Sequence, residues 1–304
     1  MKLKRRQFLF FSSLSAIGLG FIGCVTRQAG KNGGIAVSKA ALPPNPAKNE
    51  LLWRFVSVAD TGTGDQGQYA VAKAMTNYHS KSPYDLVVLA GDNIYTNGEM
   101  EKIAAVFERP YAPLLKQGVK FQAVLGNHDI RTANGELQLK YVGFNMKDRY
   151  YTFRRNNVQF FALDTNTNAD WEKQLKWLEQ ELSVSNAPWK VVFGHHPVYA
   201  SGVYGSNPAF IKSFTPLFQK YGVQLYINGH EHHYERTRSL NGTTYLICGG
   251  GAGTRPVGRS EWTEYSAEKL SFAAYEVYAD RIEISGIGTD NRVFDKGIIS
   301  LKSA

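Results

Sequence analysis

From residue 51 onward, short apolar runs alternate with amphipathic stretches, the rhythm expected of an α/β domain. Residues 51–58 read as a strand. Leu86-Val87-Val88-Leu89-Ala90 is a continuous apolar run, as in a strand buried on both faces. Residues 121–125, 158–163, 189–193 and 223–227 continue the series. Between them, residues 66–79 place Tyr69, Val71, Ala72, Met75 and Tyr78 at helical spacing. Residues 170–182 do the same with Trp171, Leu175, Trp177, Leu178 and Leu182. The last part changes character: 243–248, 272–277, 281–285 and 293–301 read as antiparallel strands. No internal repeat and no second linker interrupts the pattern, so residues 48–304 read as one domain.

The start of the chain is different. Met1-Lys2-Leu3-Lys4-Arg5-Arg6 is a basic head before an apolar run, 8–22, that is broken by three serines and two glycines. This is short and only moderately apolar for a spanning helix, and it suits a secretory signal. Arg5-Arg6-Gln7-Phe8-Leu9 resembles the twin-arginine export signal. Phe21-Ile22-Gly23-Cys24 resembles a bacterial lipobox, with Phe where Leu is usual. Lipidation of Cys24 and ordinary cleavage nearby both stay open, with an uncleaved anchor as a third outcome. Residues 1–24 are thus an expected export signal. Residues 25–47, rich in Gly, Ala, Lys and Pro, form an expected flexible linker. The domain would then lie outside the cytoplasmic membrane, as a periplasmic, secreted or lipid-anchored protein.

Composition narrows the partners. Hydrophobic residues at 43% and charged residues at 20% suit a cored domain rather than a disordered one. Setting aside Lys2, Lys4, Arg5 and Arg6 takes the net charge from +9 to +5. That field suits small anionic substrates but is too weak and dispersed for nucleic acid. Two cysteines exclude a disulfide framework, and Cys248, in an apolar run, reads as a buried small side chain. A monomer is expected.

Six of the seven histidines fall in three tight groups. They are Gly126-Asn127-His128-Asp129, Gly194-His195-His196-Pro197 and Gly229-His230-Glu231-His232-His233. Asp60-Thr61-Gly62 and Gly91-Asp92-Asn93-Ile94-Tyr95 add two carboxylate turns. Each group follows an apolar run, and ligands in α/β proteins gather beyond the carboxyl ends of strands. Five such turns can converge on one sheet edge with oxygen and nitrogen donors enough for two metal ions. Two ions side by side polarise a phosphoryl oxygen and generate hydroxide near neutral pH, which makes a metal-dependent hydrolase the leading reading. His79 at the end of a helix reads as structural, and Asp129 and Asp164 as residues that orient turns or ligands.

This ordered set resembles the calcineurin-like metallophosphoesterases and, within them, the purple acid phosphatases. The resemblance spans nearly everything after residue 50. Its distinguishing mark is Gly62 where most of the superfamily has His, combined with Tyr95 three residues after Asp92. It implies a four-layer α/β/β/α sandwich. It further implies Fe(III) held by Asp60, Asp92, Tyr95 and His232. A second metal (Fe, Zn or Mn) would be held by Asn127, His195 and His230, with Asp92 shared. His195 is preferred over His196 because it directly follows Gly194. His128 would be the catalytic residue, and His196, Tyr204 and His233 are candidates for substrate contact. The implied reaction is acid hydrolysis of small phosphate monoesters by attack of a metal-bound hydroxide. Two alternatives are kept: a phosphodiesterase or nucleotide pyrophosphatase with the same metals, and a non-hydrolytic iron-binding or redox surface protein. The chain departs from the family in the loop after His195, Ser201-Gly202-Val203-Tyr204-Gly205. That loop lacks the histidine many members carry, and Tyr204 stands nearest its place. The short Asn166-Thr167-Asn168-Ala169 segment leaves no room for the proteolysed loop of animal members.

Overall fold

A computed structural model describes residues 49–301. The expected export signal, the linker and Cys24 lie outside the described residues. The domain starts with β1 (Trp53–Val58), α1 (Gln66–Lys81), β2 (Leu86–Leu89), α2 (Ala112–Lys116) and β3 (Lys120–Ala123). It continues through α3 (Glu136–Leu139), β4 (Tyr151–Arg155), β5 (Val158–Ala162), α4 (Trp171–Val184), β6 (Trp189–Phe193), α5 (Pro208–Tyr221) and β7 (Leu225–Asn228). Six strands complete it: β8 (Tyr234–Thr237), β9 (Thr244–Cys248), β10 (Thr263–Ala267), β11 (Ser271–Val277), β12 (Arg281–Gly288) and β13 (Val293–Ser300).

The strands form two sheets, ordered β13-β12-β11-β1-β2-β3 and β10-β8-β9-β7-β6-β5-β4. In the first, β1, β2 and β3 run parallel, and β11, β12 and β13 antiparallel. In the second, β5, β6, β7 and β9 are mutually parallel. Alternation along each strand gives every sheet two apolar faces. The inner faces meet: Phe55 of β1 packs edge-on against Phe160 of β5, with ring centroids 5.3 Å apart. The outer faces take helices. On the first sheet, α1 buries Val71, Ala72 and Met75, spaced as one helical stripe, and Tyr78 meets Phe272 of β11. On the second, Leu178 and Leu182 of α4 and Phe214 and Phe218 of α5 pack with Phe161, Val192, Tyr226 and Tyr245. Helix, sheet, sheet and helix thus stack as four layers.

Local signals set the helix starts. Asp65 accepts from Gln68 N, Asp170 from Lys173 N, and Asn207 from Ala209 N and Phe210 N. The structure adds α2, α3, α5, β4, β8 and β10 to the elements expected from the pattern. It also corrects the direction of residues 243–248: β9 is antiparallel to β8 but parallel to β7. Among the described residues no helix is long and apolar enough to cross a membrane. Cys248 is fully buried in β9, and burial pushes its thiol up to about 12.

Candidate metal centre

Strands β1, β2 and β3 of the first sheet and β6 and β7 of the second, parallel within each sheet, end on the turns that carry Asp60, Asp92, Asn127, His195 and His230. Three of these residues, Asp60 (φ 57°), Asp92 (φ 51°) and His230 (φ 69°), adopt the left-handed region that non-glycine residues avoid. Such strain costs on the order of 1 kcal/mol or more per residue and persists only where the surroundings enforce it. The surroundings here are the turns themselves. Asp92 Oδ1 accepts from His128 N at 2.9 Å, and Asp60 Oδ2 accepts from His230 N at 2.9 Å. Each carboxylate therefore uses one oxygen to hold a neighbouring ligand turn and presents the other inward. The packing is close enough to demand glycine. A Cβ on Gly126 would lie 2.2 Å from Asp92 Oδ1, and one on Gly229 would lie 2.4 Å from Asp60 Oδ2.

The inward atoms converge. Tyr95 Oη lies 2.9 Å from Asp92 Oδ2, 3.1 Å from Asp60 Oδ1 and 3.2 Å from His232 Nε2. On the other side, Asn127 Oδ1 is 3.1 Å from His195 Nε2 and 3.0 Å from His230 Nδ1. Asp92 Oδ2 joins the two sets, 3.4 Å from His195 Nε2. His195 Nδ1 donates to Ala90 O at 2.9 Å, which leaves Nε2 as the nitrogen that faces the cluster. His128 stands at the edge. Its Nδ1 donates to Thr96 O at 2.6 Å and its Nε2 is 4.0 Å from Asp92 Oδ2.

The electrostatics fit bound cations. Asp60 and Asp92 are almost fully buried, and among the described residues their ion-pair partners are histidines. Burial by itself would raise the Asp92 carboxyl. His195 beside it and the His128 main-chain N–H outweigh that and hold it below the usual carboxylate range. Burial would lower His195, but Asp92 and then Asp60 push it up to about 10, so an imidazolium meets the charge that a metal ion would meet. Burial and then the His195 charge push His196 down to about 3 and His230 down to about 2. Both keep a lone pair for coordination or hydrogen bonding. Burial and the two carboxylates push the Tyr95 phenol far above its ordinary value. Only a strong cation against its oxygen would ionise it. Two overlapping donor groups, Asp60-Asp92-His195 and His195-His196-His230, each have ligand atoms within 4.8 Å of one another.

The remaining candidates divide. His196 lies beside the cluster, with Nδ1 2.9 Å from Thr165 Oγ1 and its ring 4.5 Å from that of His230. Tyr204 stacks on His230 with centroids 4.6 Å apart and is mostly exposed. His233 corrects the expectation of substrate contact: it is fully buried, 3.5 Å from Glu235 Oε2, because the chain has turned inward into β8. The carboxylate of Asp129 is engaged by N–H donors. It accepts from Asn93 N, Ile94 N, Gly126 N, Asn93 Nδ2 and Gln138 Nε2, and so ties the Asp92 turn to the Asn127 turn.

Three supporting residues escape a reading of the sequence. Thr165 Oγ1 accepts from the main-chain N–H groups of both His195 and His196. Glu231, fully buried, accepts from the N–H groups of Val203, Tyr204 and Gly205 and pins that loop over the centre. Arg255 donates to His230 O at 3.2 Å. Only Glu231 carried a signal, as a carboxylate placed between two histidines.

Residues 54–234 match the family model for calcineurin-like phosphoesterases. Purple acid phosphatase 7 of Arabidopsis thaliana is 30% identical over 255 residues, covering 73% of this chain and 76% of that protein. Tartrate-resistant acid phosphatase type 5 of Rattus norvegicus is 26% identical over 236 residues, covering 65% and 72%. Among solved structures, GAP50, the anchor in the inner membrane complex of Plasmodium, aligns with a TM-score of 0.74 at 21% identity, covering 84% of this chain and 90% of that one. The purple acid phosphatase PPD1 of yellow lupin seeds aligns with a TM-score of 0.69 at 19% identity, covering 82% and 53%. These last two likenesses speak to the fold.

Proposed function

The chain belongs to the calcineurin-like phosphoesterases, among the purple acid phosphatases, and on that footing we propose that it is an exported phosphatase of small phosphate monoesters with an iron-containing pair of metals. Membership carries the coarser statement: a phosphatase with a dinuclear metal site. For the finer one, Asp60, Asp92, Tyr95 and His232 would hold Fe(III). Asn127, His195 and His230 would hold the second ion (Fe, Zn or Mn), with Asp92 shared. The observation that carries this reading is Tyr95. Its hydroxyl stands within hydrogen-bonding distance of two buried carboxylates and a histidine, a donor set suited to a ferric phenolate.

When bound, the two ions would polarise the phosphoryl group and lower the pKa of water. The chain's own residues do the rest. Ala90 O fixes the tautomer of His195, and the second oxygens of Asp60 and Asp92 fix the turns of His230 and His128. His128, at the rim, is placed to hydrogen-bond a phosphoryl oxygen or the leaving group. Tyr204 and His196 line the same rim. The export reading rests on Arg5-Arg6-Gln7-Phe8-Leu9 and Phe21-Ile22-Gly23-Cys24. Cell fractionation is its test, and a protein found only in the cytoplasm would sink it.

The test of the centre is the visible spectrum of iron-loaded protein together with turnover of an aryl phosphate. A purple or pink band that disappears in Tyr95→Phe is the expected result. A colourless, active protein that holds only zinc or manganese would overturn the iron assignment and leave the phosphatase standing.

A further inference from the structure

Among the described residues, two arginines beside the centre have no carboxylate partner. Arg131, three residues beyond His128, is exposed. Its Nη1 donates to Thr96 O at 3.2 Å, and its Nη2 lies 3.4 Å from His128 Nε2. Arg255 follows β9. Its Nη1 donates to His230 O at 3.2 Å, and its guanidinium lies 5.1 Å from the centre of the Tyr204 ring. Its main-chain N–H also donates to His232 O at 2.8 Å. By contrast Arg149 is neutralised by Asp164 and Glu136, and Arg236 by Asp295. Arg131 and Arg255 are instead each tethered by one N–H to a carbonyl in a ligand turn. A guanidinium has five N–H donors in a fork that matches phosphate oxygens, so each keeps donors to spare. The tether holds it near the place where a phosphoryl group would enter and limits the ordering entropy lost on binding.

We propose that Arg131 and Arg255 together recognise a doubly charged phosphoryl group, and that this pair sets a preference for phosphate monoesters over diesters. The inference deepens the phosphatase reading above and rests on it. A monoester carries three free oxygens and, about its second pKa near 6, passes from one to two negative charges, so it is close to doubly charged at neutral pH, where the comparison is to be made. A diester carries one charge and two free oxygens, one of its anionic contacts having become an ester link. Two unpaired cations discriminate between these, whereas the metal ligands are common to both kinds of hydrolase.

The experiment compares p-nitrophenyl phosphate with bis(p-nitrophenyl) phosphate in wild type, Arg131→Met, Arg255→Met and the double variant, with metal content measured in each. Binding of inorganic phosphate and of dimethyl phosphate is followed in parallel by titration calorimetry on the same metal-loaded proteins. Each single change is expected to lower monoester kcat/KM about tenfold, mainly through KM, since a charge-assisted hydrogen bond is lost. The diester should lose less, so the preference narrows, and phosphate binding should weaken in step while dimethyl phosphate binding moves little. Lysine at either position should restore part of the loss. An unchanged monoester-to-diester ratio, or equal weakening of both anions, would overturn the proposal. If metal-loaded wild type hydrolyses neither ester, the phosphatase reading itself fails, and the two binding titrations still decide the role of the arginines.

Discussion

Replacing Gly62 by alanine should damage both the fold and the metal centre. Gly62 N donates to Asp92 O at 3.2 Å, and Gly62 O accepts from Tyr95 N at 2.7 Å, so the β1 turn and the Asp92–Tyr95 loop lie flat against each other. A Cβ at residue 62 would fall 2.1 Å from Asn93 O, 2.2 Å from Asn93 C and 2.4 Å from Ile94 N. These are backbone atoms, and they cannot swing aside. Asn93 is held by Asp129 and by Val124 O, and Ile94 N by Asp129. Overpacking usually costs about 1–3 kcal/mol, and more when backbone must move. A cost near 3 kcal/mol corresponds to a fall in Tm of roughly 6–12 °C for a domain of this size. The displaced loop carries Asp92 and Tyr95, so metal affinity should fall about 10- to 100-fold as well. Gly118→Ala is the control. Its φ is positive, 80°, which that of Gly62 is not, and nothing lies within 4 Å of its added carbon, so it suffers backbone strain without a clash, about 1–2 kcal/mol. Thermal melts and metal content of the two variants decide the matter. If Gly62→Ala melts no lower than Gly118→Ala and still retains two metal ions, the close approach of the two turns is wrong. The same contact leaves no room for a histidine side chain at residue 62.

Two further changes test the supporting residues. Asp129→Asn puts an NH₂ group where five N–H donors converge, so it should cost about 2–4 kcal/mol and loosen both the Asp92 and Asn127 turns. Urea unfolding and metal titration would show this, and native stability with unchanged metal affinity would refute it. Glu231→Gln retains one acceptor oxygen for three loop N–H groups, at a local cost of about 1–3 kcal/mol. The retained oxygen can still serve Tyr204 and Gly205, so hydrogen exchange at Val203 should quicken at least tenfold with a much smaller change in Tm, and undiminished protection there would count against the pinning role.

The contrast between what the chain shows as text and what it shows folded has a physical basis. Strands buried on both faces are legible because continuous apolar runs such as 86–90 have few other uses. β10 was not, since it is a half-exposed edge strand without alternation. α5 was hidden by Pro208 and Pro216, one at the helix start and one inside it, which blur a helical period. The direction of β9 is set by its pairing of Leu225 with Thr244, and a hydrophobic pattern carries no direction.

Within the centre the same division recurs. Candidate ligands could be found because few side chains coordinate metals and because strand ends gather them. The residues that make the geometry do so through main-chain groups: Asp129 and Glu231 through N–H groups of other turns, Thr165 through those of His195 and His196. Asp129 was legible as an orienting residue from its place in the Gly126–Asp129 group, but Thr occupies ordinary turns in the same way throughout proteins, so residue type alone does not mark Thr165. His233 shows the converse. By type and spacing it matches the histidines around it, yet the turn that aims His230 and His232 at the centre sends the next side chain beneath the loop. A ligand cluster in sequence is therefore a statement about which turns meet. Which members of the cluster reach the metals is decided by backbone conformation, here by the left-handed residues Asp60, Asp92 and His230 and the carboxylate oxygens that hold them.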